Sequence, residues 1–289
     1  MRSLDLHYSP PSRIRLALRR VIRSRNMVAG AIILVIMISL AVCAPVITSF
    51  DPEAIVPPDR LISPDREHPF GTDNFGRDIF TRVLYGGQLS IQVGLVSVAL
   101  ASVSGTALGL VAGYYGRWID ALLMRIIDVM LSFPGILLAL AIVAVLGRSL
   151  SNVMLAIGIA SIPVYARIVR GSTLSVKEID YVTAAHAIGT PAWRILLQHI
   201  LPNVLAPLIV VTTNGIAGAI IAGAALSFLG LGALPPTPEW GIMLSDGRIY
   251  LRAAWWVTTF PGLAIMFTVM AINLLGDGLR DVLDPRMKI

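Results

Sequence analysis

Six apolar stretches, at about 27–48, 89–114, 121–146, 151–170, 203–232 and 256–276, are each 20 residues or longer. A helix rises 1.5 Å per residue, so about 20 residues cross the ~30 Å hydrocarbon of a bilayer. Lipid offers no partner for a backbone N–H or C=O, so a span of this kind must bond within itself as a helix. The chain is therefore expected to be an all-α integral membrane protein with six transmembrane helices. Composition agrees: 56% of the 289 residues are hydrophobic and only 14% charged, against about 25% charged in soluble domains. A single Cys43 rules out an internal disulfide framework and leaves too few thiols for a cysteine-rich metal site.

In order, the chain divides into a basic N-terminal segment (1–26), a first span (27–48), a polar loop (49–88), a five-helix core (89–276) and a tail (277–289). Arg13, Arg15, Arg19, Arg20, Arg23 and Arg25 crowd the first segment, interleaved with Ile14, Leu18, Val21 and Ile22. Two readings stand there: an amphipathic helix on an anionic lipid surface, or a plain positive-inside signal. The net charge of +6 is thus a topology signal and not a nucleic-acid one. Placing the N-terminus, the 115–120 turn, the 171–202 loop and the tail in the cytoplasm puts 16 of the 23 Lys and Arg inside and 7 outside. The 49–88 loop is then external, and Pro52, Pro57, Pro58, Pro64 and Pro69 forbid a continuous helix in it.

Within the spans, Gly105, Gly109 and Gly113 recur every four residues and offer a flat face for close helix packing. Pro134, Pro163, Pro207 and Pro261 can kink their helices. Arg125 and Asp128, three apart near the start of the third span, are placed to pair on one helix face. Asp73, Arg77 and Asp78 read as an ion-paired turn, without an accompanying histidine or second acidic cluster.

The most informative polar stretch is 171–202. Residues 178–188 form a short amphipathic helix with Asp180 in its first turn, where a negative charge complements the helix dipole. Small side chains at Ala184, Ala185 and Ala187 permit close approach of another surface. Gly189 supplies the left-handed residue that ends the helix, and Pro191 opens a second one. The expected product is a helix–turn–helix knob outside the bilayer.

The order Ala184-Ala185, Gly189, Leu201-Pro202 resembles the cytoplasmic loop of binding-protein-dependent ABC import permeases. Their pattern is Glu-Ala-Ala, three residues, Gly, nine residues, Ile, one residue, Leu-Pro. Thr183 stands here in place of the Glu, and His199 in place of the Ile. The 70–78 stretch Phe-Gly-Thr-Asp-Asn-Phe-Gly-Arg-Asp, Leu226–Gly232, Pro236–Gly241 and Asn273–Asp281 with Asp284-Pro285 are similar to the dipeptide/oligopeptide type.

This resemblance implies a non-catalytic permease subunit without cofactor, multi-pass in the inner (plasma) membrane with both termini cytoplasmic. It implies as partners a second permease, two ATP-binding subunits, an extracellular or periplasmic substrate-binding protein and membrane lipid. The coupling residues it implies are Asp180, Thr183, Ala184, Ala185, His186, Gly189, Leu201 and Pro202. The sequence carries no Gly-x-x-x-x-Gly-Lys-Ser/Thr phosphate loop, so ATP hydrolysis is expected on partner chains. Short peptides are the first substrate expectation. Nickel chelates, glutathione-like substrates, or a channel or exporter role are the alternatives.

Overall fold

The computed structural model describes residues 24–283, and the basic segment's expected helix and the last residues of the tail lie outside that range. Nine helices follow in order: α1 (Arg25–Val42), α2 (Ile79–Tyr115), α3 (Arg117–Leu131), α4 (Gly135–Leu146), α5 (Leu150–Lys177), α6 (Asp180–Ala187), α7 (Ala192–Phe228), α8 (Trp240–Gly247) and α9 (Trp256–Leu283). Five of them are long and apolar enough to cross a bilayer: α1, α2, α5, α7 and α9. The sixth span is broken, because α3 and α4 meet at 90°. Pro134 sits at the break. It has no N–H to donate back into α3, and its carbonyl accepts instead from Leu138, opening α4.

Several helices outrun their apolar cores. The expected loop end at 88 gives way to a helix beginning at Ile79, because Asp78 caps it by accepting from the backbone N–H of Thr81 at 2.7 Å. The polar side chains of 79–88, which made this piece look like loop, are used inside the protein: Thr81 and Arg82 are buried, and Gln88 donates to the carbonyl of Ala41 at 2.6 Å. At the other end of the chain α9 continues past residue 276 to Leu283.

Side by side and parallel, α2 and α5 form the centre of the bundle, and the glycine face explains how. A Cβ at Gly105 would lie 2.5 Å from that of Tyr165, and one at Gly109 2.6 Å from the carbonyl oxygen of Ala166. Only a residue without a side chain lets the two backbones come this close. Val93, Val98, Val153, Ile157, Tyr165 and Val169 fill the core around this seam.

Opposite the α6 end, residues 49–78 fold over the bundle as a cap stitched by buried charge. Arg77 Nε lies 2.6 Å from Asp73 Oδ2, and Arg77 also faces Asp246 of α8 at 3.6 Å. Arg82, 1% exposed, donates to the carbonyls of Pro52 (2.6 Å) and Pro236 (3.1 Å). The ion-paired turn expected at 73–78 is present, but a histidine does accompany it. His68 Nδ1 sits 3.0 Å from Asp78 Oδ1, brought there by the 65–71 turn. The spacing in sequence hid that partner.

Candidate functional site: a helical knob at the end of the bundle

At its N-terminal end α6 follows Ile179, whose extended backbone breaks it from α5. At the far end the Ile188 and Gly189 N–H groups donate to Ala184 and His186, and Thr190 N–H to Ala185. Gly189 has φ +78°, the left-handed conformation expected of it. Pro191 then caps the first turn of α7. The helix–turn–helix form read from the sequence is therefore the form observed.

The first turns of α7 are wound as a π-helix over Ile195–Ile200. Pro202 has no N–H to complete an α-helical ladder there. The exposed carbonyl of His199 is taken up by the Asn203 side chain at 2.6 Å. The same Asn203 amide nitrogen donates to the Tyr181 hydroxyl at 2.8 Å, tying α6 to α7. Ile195 and Ile200 are fully buried, and with Val182 and Ala185 they join the same core that holds α2 and α5. The knob is thus seated on the spans, and it cannot shift without moving them.

The eight residues drawn from the sequence separate into two groups. Asp180, Thr183, Ala184 and His186 are exposed on the knob, and Gly189 is exposed at its turn. Ala185 faces inward at 7% exposure, so its small size serves the knob's own seat, while Ala184 alone of the pair faces out. Leu201 and Pro202 lie at the start of the regular part of α7, where they shape its entry. Thr183 turns its hydroxyl back to the carbonyl of Ile179 at 3.4 Å and presents no charge.

Sequence reasoning missed the apolar crest beside these residues. Ile188 is 83% exposed, Trp193 57% and Leu197 53%, on a part of the chain that is not a span. Arg194 lies over the Trp193 ring, 5.5 Å from its centroid. A large tryptophan in a polar loop is the one signal that could have found it. Next to the crest a cleft of about 640 Å³ separates α6 from the ends of α2 and α5, between Tyr114, Tyr115, Lys177, Glu178, Thr183 and His186.

Above the knob two ion pairs join α3 to α5. Arg170 grips Asp120 through two nitrogens at 2.5 Å each. One turn further along, Arg167 Nη2 meets Asp128 Oδ1 at 2.6 Å. The pairing of Asp128 with Arg125 expected from their spacing is not formed. The carboxylate is taken by another helix, and tertiary packing decides between the two arginines.

The family pattern for the inner membrane component of binding-protein-dependent transport systems matches residues 105–289, well over half of the chain. It takes in α3 to α9, the knob included. The chain belongs to this family. A second pattern, the N-terminal transmembrane domain of oligopeptide transport permease C, matches residues 12–64.

Among its relatives is the dipeptide transport system permease DppC of Alkalihalophilus pseudofirmus, 51% identical over 97% of this chain and 92% of the relative. A putative peptide transport permease of Brucella suis is 50% identical over 99% and 95%. The glutathione transport permease GsiD of Pectobacterium atrosepticum is 46% identical over 93% and 90%. The permease also shares its fold with an inward-facing structure of the MetNI methionine ABC transporter (TM-score 0.55, 19% identity, 70% of this chain and 96% of the other).

Proposed function

We propose that this permease is the membrane subunit of an ATP-driven importer of short peptides and that α6 receives the mechanical work. Hydrolysis belongs to two ATP-binding subunits on other chains, cargo arrives from a separate substrate-binding protein, and a second, similar permease completes the path. Both termini and α6 lie on the cytoplasmic side. The single observation that carries the coupling role is the crest Ile188–Trp193–Leu197, apolar, outside the spans and bare. A contiguous exposed apolar patch on a polar element marks a protein contact, and a tryptophan beside an arginine is the composition of an anchor.

The mechanism follows from how the knob is seated. Force on the crest passes through Val182 and Ala185 into the core and through Tyr181 and Asn203 into α7. A rigid seat of this kind converts closure of the ATPase pair into rocking of the spans between inward- and outward-open states. The Pectobacterium relative supports a second reading for the cargo, a glutathione-like tripeptide, with the same coupling machinery.

The test is co-purification of the ATP-binding subunits with Ile188→Ser and Trp193→Ala. Loss of an anchor of this kind costs about 2 kcal/mol or more, roughly thirtyfold in affinity. Membrane insertion should be unchanged, while subunit recovery and peptide-stimulated ATPase activity both fall. Full recovery and full coupling in both variants would return the channel reading.

A further inference from the structure

The Asp128–Arg167 pair is at odds with its surroundings. Arg167 lies ten residues before the end of α5, about 15 Å along the helix, and Asp128 lies inside the third span just before its 90° break. Both are at membrane depth, yet their side chains are 57% and 55% exposed. A charge facing lipid near mid-membrane costs about 3 kcal/mol. These two must therefore face water or other protein.

The neighbouring pair is a useful contrast. Asp120–Arg170 is bidentate and more enclosed, with side chains 18% and 31% exposed, as expected of a structural clamp. Asp128–Arg167 uses one oxygen and one nitrogen. Among the described residues, the second Asp128 oxygen and the remaining Arg167 donors have no partner. The break at 132–134 leaves residues 131–137 exposed beside them, so the open side of the pair looks into the gap made by the bent span.

We propose that Asp128 and Arg167 form a charged station on the translocation path that holds the two ends of an unblocked peptide. The ammonium end goes to the free side of the carboxylate, and the carboxylate end to the free guanidinium donors, a fork suited to bidentate contact. The pair keeps itself neutral when the path is empty, so no uncompensated charge is left in the membrane between cargoes. Its monodentate geometry lets each partner take a second ligand without breaking the first contact. The assignment rests on the peptide-import reading above and gives it a specific place for substrate chemistry.

Ser132→Cys, exposed and four residues from Asp128, reports on the station while leaving both charges intact. The experiment uses the whole importer in membrane vesicles, in a Cys43→Ser background, with a water-soluble, membrane-impermeant cationic thiol reagent. The expected result is labelling at 132. A mixture of unblocked dipeptides should slow it about tenfold, the worth of one charge-assisted contact. The same mixture N-acetylated and C-amidated should leave the rate unchanged, and Asp128→Asn with Arg167→Gln should remove the protection. No labelling at 132 would mean that protein or lipid covers the pair and would overturn the assignment. Equal protection by blocked and unblocked peptides, or by neither, would overturn it too. Import of the same dipeptides by the parental complex is measured separately: labelling and charge-selective protection without import would leave the station standing and remove the peptide-import reading.

Discussion

Replacing Gly109 by alanine adds one methyl group at the closest point of the α2–α5 seam. The new Cβ would stand 2.6 Å from the Ala166 carbonyl oxygen, 2.7 Å from Val169 Cβ and 2.9 Å from Arg170 N. Two of those atoms are backbone and the third is the stiff base of a β-branched side chain, so no rotamer change relieves the clash. The helices must part by several tenths of an ångström along the seam. Overpacking of this kind costs about 1–3 kcal/mol. Alanine's better helix propensity returns at most about 1 kcal/mol, and less where the unfolded state in detergent keeps its helices. Net destabilisation is therefore expected. Gly171 on α5 supplies the control, since a Cβ there meets nothing within 4 Å and its φ is ordinary. Gly171→Ala should be neutral or stabilising by up to about 1 kcal/mol. Thermal unfolding of the detergent-solubilised complex reads both, with a lower midpoint for Gly109→Ala and an unchanged or higher one for Gly171→Ala. If Gly109→Ala is as stable as the parent, the close approach is not what holds α2 to α5.

Gly189→Val places a β-branched residue at φ +78° in open space, so the strain is purely of the backbone; the turn should distort, and peptide-stimulated ATPase activity should fall while membrane insertion persists. Arg82→Met strips the donors from the carbonyls of Pro52 and Pro236 and breaks up a buried charge cluster. A loss of about 3–5 kcal/mol is expected, visible as faster proteolysis of the 49–78 cap. Glu239, which caps α8 through the N–H groups of Gly241 and Ile242, has its carboxyl pushed above the ordinary 4.5 by burial, partly opposed by those hydrogen bonds. A raised value means the folded state holds the proton more tightly. The contribution to stability is full below pH 4.5 and is lost as pH rises through the raised value. Glu239→Gln should flatten that part of a melting profile, and an unchanged slope would refute the attribution.

The sequence by itself determined the spans and the knob. Membrane crossing is a matter of local length and polarity, since each helix satisfies its own backbone. A knob ended by Gly189 and reopened by Pro191 is written in local backbone preference. The same locality made the glycine face at 105, 109 and 113 readable before its partner was known. What only the tertiary structure decided is which groups meet. Asp128 chose Arg167 on α5 over Arg125 three residues away, His68 reached Asp78 across a turn, and the polar start of α2 became helix because Arg82 and Gln88 found carbonyls from distant parts of the chain. Of Ala184 and Ala185, adjacent and chemically identical, packing buried one and left the other out. The crest of Ile188, Trp193 and Leu197 escaped notice for the same reason. Exposure belongs to the assembled surface, and no window of sequence carries it.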